Sequence, residues 1–204
     1  MTEGGHRNPR ASRMGMWLFL FTEMLLFGGL FLVYAVYRRQ FAPSFRAASE
    51  ELNLAFGVIN TAILLTSSLT MALAVGAFER KRVNRCIGFL AGTVGLAALF
   101  LCNKAVEWGA KFAHGLYPGA HVLEARPQGE KLFFSLYFAM TGLHGVHVIV
   151  GAGLLGTVAV LVRRADRKGG GSDRWAGLVE NAGLYWHLVD IVWIFLFPLF
   201  YLIA

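Results

Sequence analysis

Six ionisable side chains sit in stretches of this chain that are otherwise strongly apolar. In the string YWHLVDIVW, His187 and Asp190 stand three residues apart, and Glu180 precedes His187 by seven. On a helix these three share a face. TGLHGVHVIVG carries His144 and His147, again at i and i+3, and FTEMLLFGG carries Glu23. An aspartate near the centre of a membrane helix costs roughly 2.5 to 3.5 kcal/mol on insertion scales, so such residues usually face other helices or a water cavity and often mark function. Imidazoles and carboxylates at i and i+3 resemble the ligand pairs of metal sites in helix bundles. They equally suit an interhelical hydrogen-bond network or a proton path.

The ligand arithmetic weighs against a di-iron site. Such a bundle uses Glu-x-x-His on two helices plus further glutamates, whereas this chain offers His-x-x-His and His-x-x-Asp. A haem needs only one or two histidines, so counting leaves it open. Cys86 and Cys102 bring no C-x-x-C-H, no paired C-x-x-C and no iron–sulfur spacing. The reading adopted is a buried polar network of Glu23, His144, His147, Glu180, His187 and Asp190, with no catalytic residue and no metal. Glu23 is then either protonated or hydrogen-bonded to an imidazole of a neighbouring span, because an isolated carboxylate in hydrocarbon is costly. The rivals from other classes are a haem or metal enzyme and a small proton-coupled transporter.

The elements that must position these groups follow from composition. Of 204 residues, 56% are hydrophobic, and the mean hydropathy is +0.55. That is too apolar to surround one soluble core with polar surface. Five runs reach the roughly 20 residues that a helix needs to cross about 30 Å of hydrocarbon: 16–36, 56–78, 87–106, 132–162 and 182–204. Helices are expected rather than an outer-membrane barrel, whose alternating segments of about ten residues are absent. The first run is no signal peptide: it is too long, lacks an A-x-A-like cleavage site and carries Glu23. The expectation is an all-α integral membrane protein, a single five-helix transmembrane domain over 14–204 behind a flexible polar tail at 1–13.

The formal net charge of +7 is a matter of topology, and no nucleic-acid partner is implied. Twelve Lys and Arg fall in the tail and in the loops after the second and fourth spans, against six in the other loops, with Lys104 inside a span. The positive-inside rule therefore puts the N-terminus in the cytoplasm and the C-terminus outside, in the periplasm of a bacterial inner membrane. The connection at 38–53 has room for an interfacial helical turn. ERKRVNR at 79–85 reads as a tight hairpin joining antiparallel neighbours. The connection at 108–131, with Pro118, Gly119, Pro127 and Gly129, should be irregular, and 163–175 reads as a basic, glycine-rich linker. No inverted pair of glycine-broken spans gives a transporter signature.

Gly88, Gly92 and Gly95 in the third span, and Gly142, Gly145, Gly151, Gly153 and Gly156 in the fourth, are expected to let the spans approach one another closely. Lys104 and Glu107 can pair at i and i+3 near the end of the third span, with the lysine snorkelling outward. Trp108 and Tyr117 fit an interfacial aromatic belt. Arg163 and Arg164 suit lipid phosphates, and plain topology explains them equally well.

Taken together, the strings WLFLFTEMLLFGGLF, NTAILLTSS, KAVEW, FFSLYFAMTGLHGVHVIVG and ENAGLYWHLVDIVWIFLF resemble, in order, subunit III of the haem-copper oxidases, the cytochrome c oxidase subunit 3 family. The resemblance runs from about Trp17 to the C-terminus. It implies a redox-silent subunit packed beside catalytic subunit I, and subunit II, of a bacterial terminal oxidase. Haem and copper would lie in the partner, and structural phospholipid between the helices would help sustain proton uptake and turnover. It also implies that Glu23 corresponds to the family's buried, carbodiimide-reactive carboxylate. Glu180, His187 and Asp190 correspond to its final-helix motif, His144 and His147 to its span-four pair, and Arg163 to a lipid phosphate contact. Longer members have seven spans, and this chain begins at what resembles their third, so the lipid cleft of the first two is incomplete or supplied by a partner. Quinol oxidases and nitric oxide reductases have five-span relatives too, so an accessory subunit of either is the alternative.

Overall fold

The computed structural model describes residues 9–167 and 173–202. Among these, seven helices follow one another: α1 (Pro9–Gln40), α2 (Ala42–Glu50), α3 (Leu54–Glu79), α4 (Val83–Ala113), α5 (His121–Glu124), α6 (Gln128–Arg167) and α7 (Asp173–Tyr201). Five of them, α1, α3, α4, α6 and α7, are long and apolar enough to cross a membrane. α2 and α5 are short connecting pieces.

The spanning helices overrun the apolar runs. At about 1.5 Å per residue α6, with 40 residues, is about 60 Å long, twice the hydrocarbon thickness. Its ends therefore stand in the interfacial layers, where polar residues continue the helix at no cost. Several boundaries change for this reason. The expected flexible tail is helical from Pro9, leaving residues 1–8 of it outside the described residues. In the connection at 108–131, α4 continues to Ala113 and α6 starts at Gln128, so irregular backbone is confined to 114–127 and is broken there by α5. The linker at 163–175 is largely taken up by α6 and α7, and its residues 168–172 lie outside the described residues.

α3, α4, α6 and α7 form a ring in that order, and α1 lies outside it against α6 and α7. The α3–α4 hairpin packs most extensively, as its three-residue turn requires. α1 presents Trp17, Leu18, Phe21, Leu25 and Leu32 outward, the large apolar surface that lipid accepts. α7 is the most enclosed span, with Trp186 and Trp193 buried. Asn53 caps α3 by accepting the Ala55 amide at 2.9 Å, which satisfies one of the unpaired first-turn donors.

Close approach occurs at Gly142 and Gly151, two of the expected glycines, and also at Gly57 and Gly183. A Cβ on Gly57 would sit 2.7 Å from Phe197, and on Gly151 2.9 Å from Trp186. Gly183 faces Met71 and Val75, and Gly142 faces Trp108. By contrast Gly88, Gly92 and Gly95 on α4, and Gly145, Gly153 and Gly156 on α6, have nothing within 4 Å of that position. They line the outside of the bundle because their faces turn away from the ring.

Candidate functional site

Glu23 lies near the midpoint of α1, and its carboxylate oxygen is 2.9 Å from His147 Nε2 on α6. The imidazole is oriented by its other nitrogen, which lies 2.8 Å from the Leu143 carbonyl. A carbonyl only accepts, so Nδ1 carries a proton. Nε2 and Glu23 must then share a single proton, either as carboxylic acid and imidazole or as carboxylate and imidazolium. The pair is neutral in both forms, which is how it is tolerated near mid-membrane. Phe27 packs edge-on against the ring at 5.2 Å between centroids, and Tyr185 donates to the His147 carbonyl at 3.3 Å.

The motif on α7 works mainly along α3. Trp186 Nε1 donates to Ser67 at 3.1 Å, His187 Nδ1 and the Ser68 hydroxyl are 2.8 Å apart, and Trp193 Nε1 donates to Thr61 at 3.0 Å. Residue numbers rise along α7 as they fall along α3, as antiparallel neighbours require. The two strings NTAILLTSS and YWHLVDIVW are thus one interface seen from its two sides. Asp190 is 3% exposed and lies near the Ser68 hydroxyl, with no well-formed hydrogen bond to either oxygen among the described residues.

His144 is fully buried, edge-on to Phe100 at 5.6 Å and against Trp193 at 5.3 Å. Neither ring nitrogen is hydrogen-bonded among the described residues. Glu180 is at the surface, where Arg13 donates to both its oxygens at 2.7 and 2.9 Å. The six residues read as one network therefore separate. Glu23 and His147 pair across α1 and α6, His187 and Asp190 both lie by Ser68, Glu180 takes Arg13, and His144 stands apart. Among the described residues no three His, Cys, Asp or Glu side chains converge as metal ligands.

The most connected polar cluster involves Lys104 and Glu107. The Lys104 ammonium donates to Glu107 Oε2 at 2.9 Å, to Tyr137 Oη at 3.0 Å and to Tyr201 Oη at 2.9 Å. Tyr137 returns its hydroxyl proton to Glu107 Oε1 at 2.8 Å, and Tyr201 donates to the same oxygen. Three N–H and two O–H donors thus make five hydrogen bonds to four acceptor atoms, and no charge is left over. The expected snorkelling does not occur: Lys104 is 6% exposed and Glu107 3%, because tyrosines from α6 and α7 supply inside the bundle what water would supply outside. Trp108 packs on Phe138 at 5.1 Å and over Gly142. Arg163 and Arg164 are exposed near the end of α6.

At the Lys104 end of the bundle, opposite Arg163 and Arg164, Arg126 joins Glu51, following α2, to Glu130 of α6, the latter at 3.2 Å. The hydrogen bond to Glu51 is the main reason the Arg126 guanidinium is held above its ordinary value. Lys111 donates to the Glu51 carbonyl. Tyr137, Tyr201, Ser68 and Arg13 are the partners that the sequence pattern did not identify. All four lie on helices other than those of the residues they bind, at positions that only the packed register brings into reach.

The family model for cytochrome c oxidase subunit III matches residues 3–204. The chain belongs to the cytochrome c oxidase subunit III family. It is 32% identical over 197 residues to cytochrome c oxidase subunit 3 of Corynebacterium diphtheriae, covering 96% of this chain and 89% of that protein. It is 31% identical over 200 residues to cytochrome bo(3) ubiquinol oxidase subunit 3 of Pseudomonas putida, with 98% and 89% covered. A heme-copper oxidase subunit I+III of Aeropyrum pernix matches 94% of this chain at 30% identity through 22% of its own length. This subunit III chain is accordingly a multi-pass membrane protein of the respiratory electron-transport machinery, and the family match takes in the Glu23–His147 pair, the α3–α7 ladder and the Lys104 cluster alike.

Proposed function

We propose that this chain is a redox-silent accessory subunit of a bacterial haem-copper terminal oxidase, lying beside subunit I, and subunit II, in the inner membrane. The observation that carries the reading is the Aeropyrum pernix protein, whose name joins subunits I and III and in which this chain's sequence occupies about a fifth of the length. Two parts found in one chain are parts that work in contact. The N-terminus faces the cytoplasm and the C-terminus the periplasm, as the distribution of Lys and Arg favours. Haem and copper belong to the partner.

The role is structural and electrostatic. The polar pairs inside the bundle satisfy one another, so they hold spans in register without offering open valences to a substrate. Phospholipids on the outer faces complete the packing, and the assembly sustains proton uptake by the catalytic subunit. Glu23→Ala in the whole oxidase tests this. Turnovers completed before inactivation should fall, while initial electron transfer stays within about twofold of the parent. Loss of haem from a fully assembled Glu23→Ala complex would contradict it. A quinol oxidase is the second reading, favoured by the near-equal identity to the Pseudomonas putida subunit.

A further inference from the structure

α1 and α3 both pack on α7, yet among the described residues their backbones do not approach one another. A strip of α7 is therefore left open between them. Ser68 of α3 holds His187 on one side of it, and Phe31 of α1 packs on Phe195 at 5.9 Å on the other. Ile191 and Ile194 lie between and are half-exposed. His187, Ile191 and Ile194 stand at i, i+4 and i+7, on one helical face. Neighbouring helices pack about 8 to 10 Å apart, so a strip flanked by two helices has the width to seat one more.

An apolar strip alone would suit lipid. His187 sets this one apart. It lies near the midpoint of the span Trp175–Tyr201 and is only partly buried. Ser68 takes its Nδ1, and no group among the described residues meets its Nε2. Unlike the ring nitrogens of His144, Nε2 is not enclosed by the bundle. Asp190 lies near the same Ser68 hydroxyl, which has one proton to give. With that proton turned to Asp190, His187 donates from Nδ1 to Ser68 and its Nε2 is an acceptor; with it turned to the imidazole, Nε2 carries the proton and donates. In both arrangements one polar atom opens on the strip at mid-membrane.

Other outward polar groups are satisfied within their own helices. The exposed hydroxyls of Thr22, Thr66 and Thr157 each donate to a carbonyl three or four residues back. Hydrocarbon accepts a surface made in that way. It has nothing to bond an imidazole nitrogen.

We infer that a spanning helix of the catalytic subunit docks along this strip, over Ile191 and Ile194, and places a hydroxyl or carboxamide side chain on His187 Nε2. Those two groups both donate and accept, so they match either arrangement of the Ser68 proton. The inference rests on the reading that this chain sits beside subunit I, and it names the face through which it does so.

The test uses the whole oxidase purified in mild detergent, with a photoreactive benzophenone side chain in place of Ile191. Illumination should join the chain to the catalytic subunit. No adduct, or an adduct with phospholipid alone, with another subunit or with a second copy of this chain, overturns the assignment. His187→Leu keeps much of the bulk and removes both ring nitrogens, so the assembled oxidase should lose this chain about tenfold faster in detergent. His187→Gln, which bonds in both directions, should restore most of the retention. Ser68→Ala removes the inner bond and keeps Nε2, so its loss rate should stay within about twofold of the parent. Equal losses in Ser68→Ala and His187→Leu would make His187 a residue of the bundle alone and overturn the contact. Should the His187 variants fail to assemble, the Ile191 adduct still decides, because it leaves the polar residues in place. Failure of the oxidase-subunit reading would appear differently, as purification without any catalytic subunit in the parent chain itself.

Discussion

Lys104→Met should be among the most damaging single substitutions in this chain. It removes three donors at once and leaves the Glu107 carboxylate, 3% exposed, with only the Tyr137 and Tyr201 hydroxyls to hold its charge. Breaking a buried ion pair from one side costs about 3 to 5 kcal/mol, because the remaining charge stays desolvated and uncompensated. An exposed pair is worth about 0.2 to 1 kcal/mol. The buried value corresponds to a fall of roughly two to nearly four orders of magnitude in the folding equilibrium. By the size scaling of globular chains, it would lower the melting temperature by about 6 to 20 °C. Adding Glu107→Gln removes the orphaned charge and lets the amide bond to the tyrosines, so the double variant should recover at least about 2 kcal/mol. Thermal melting or detergent-induced unfolding of the full-length chain measures both. A Lys104→Met loss below about 1 kcal/mol, or strictly additive effects in the double variant, would mean that the lysine reaches water and the closed cluster is wrong.

Other expectations follow from the same geometry. Gly151→Leu forces a side chain into Trp186, and overpacking of this kind costs about 1 to 3 kcal/mol; Gly92→Leu points into open space and should leave the chain's own melting unchanged. If the two melt alike, the helix faces are misassigned. The infrared carboxyl band of Glu23 should shift in His147→Phe and stay in place in His144→Phe, because only His147 contacts it; the reverse pattern would sink the pairing. Arg13→Ala breaks a salt bridge between side chains 63% and 42% exposed, so the melting temperature should stay that of the parent, because solvent screens an exposed pair; a clear drop would mean the pair is closed off from water.

The number of spans was legible because bilayer thickness and hydropathy set it directly, residue by residue. Helix ends were less so: hydropathy stops at the hydrocarbon edge, whereas the backbone of α6 runs from Gln128 to Arg167 and stays helical in the interface. Glu23, His147 and Lys104 stand out in the sequence against apolar neighbours, although Lys104 was expected to snorkel outward. Their partners were not legible. Residues three apart differ by about 60° around a helix, enough for His147 to reach α1 while His144 turns to Phe100 and Trp193. Tyr201 joins Lys104 only because the last turn of α7 ends level with it, a register that spacing within one span does not encode. Gly88 and Gly92 fit a packing motif, yet the motif does not say whether the surface they admit is a helix of this chain or something outside it.

What this chain carries and what it keeps company with together decide its role. Affinity purification of the tagged full-length chain from its own membranes in gentle detergent, followed by a reduced-minus-oxidised difference spectrum, addresses both together. A haem-copper partner should co-purify and supply every redox band, and the chain separated from it should have no Soret absorption. Recovery of the chain alone, stable and colourless, or a Soret band that stays with it after separation, would contradict the reading.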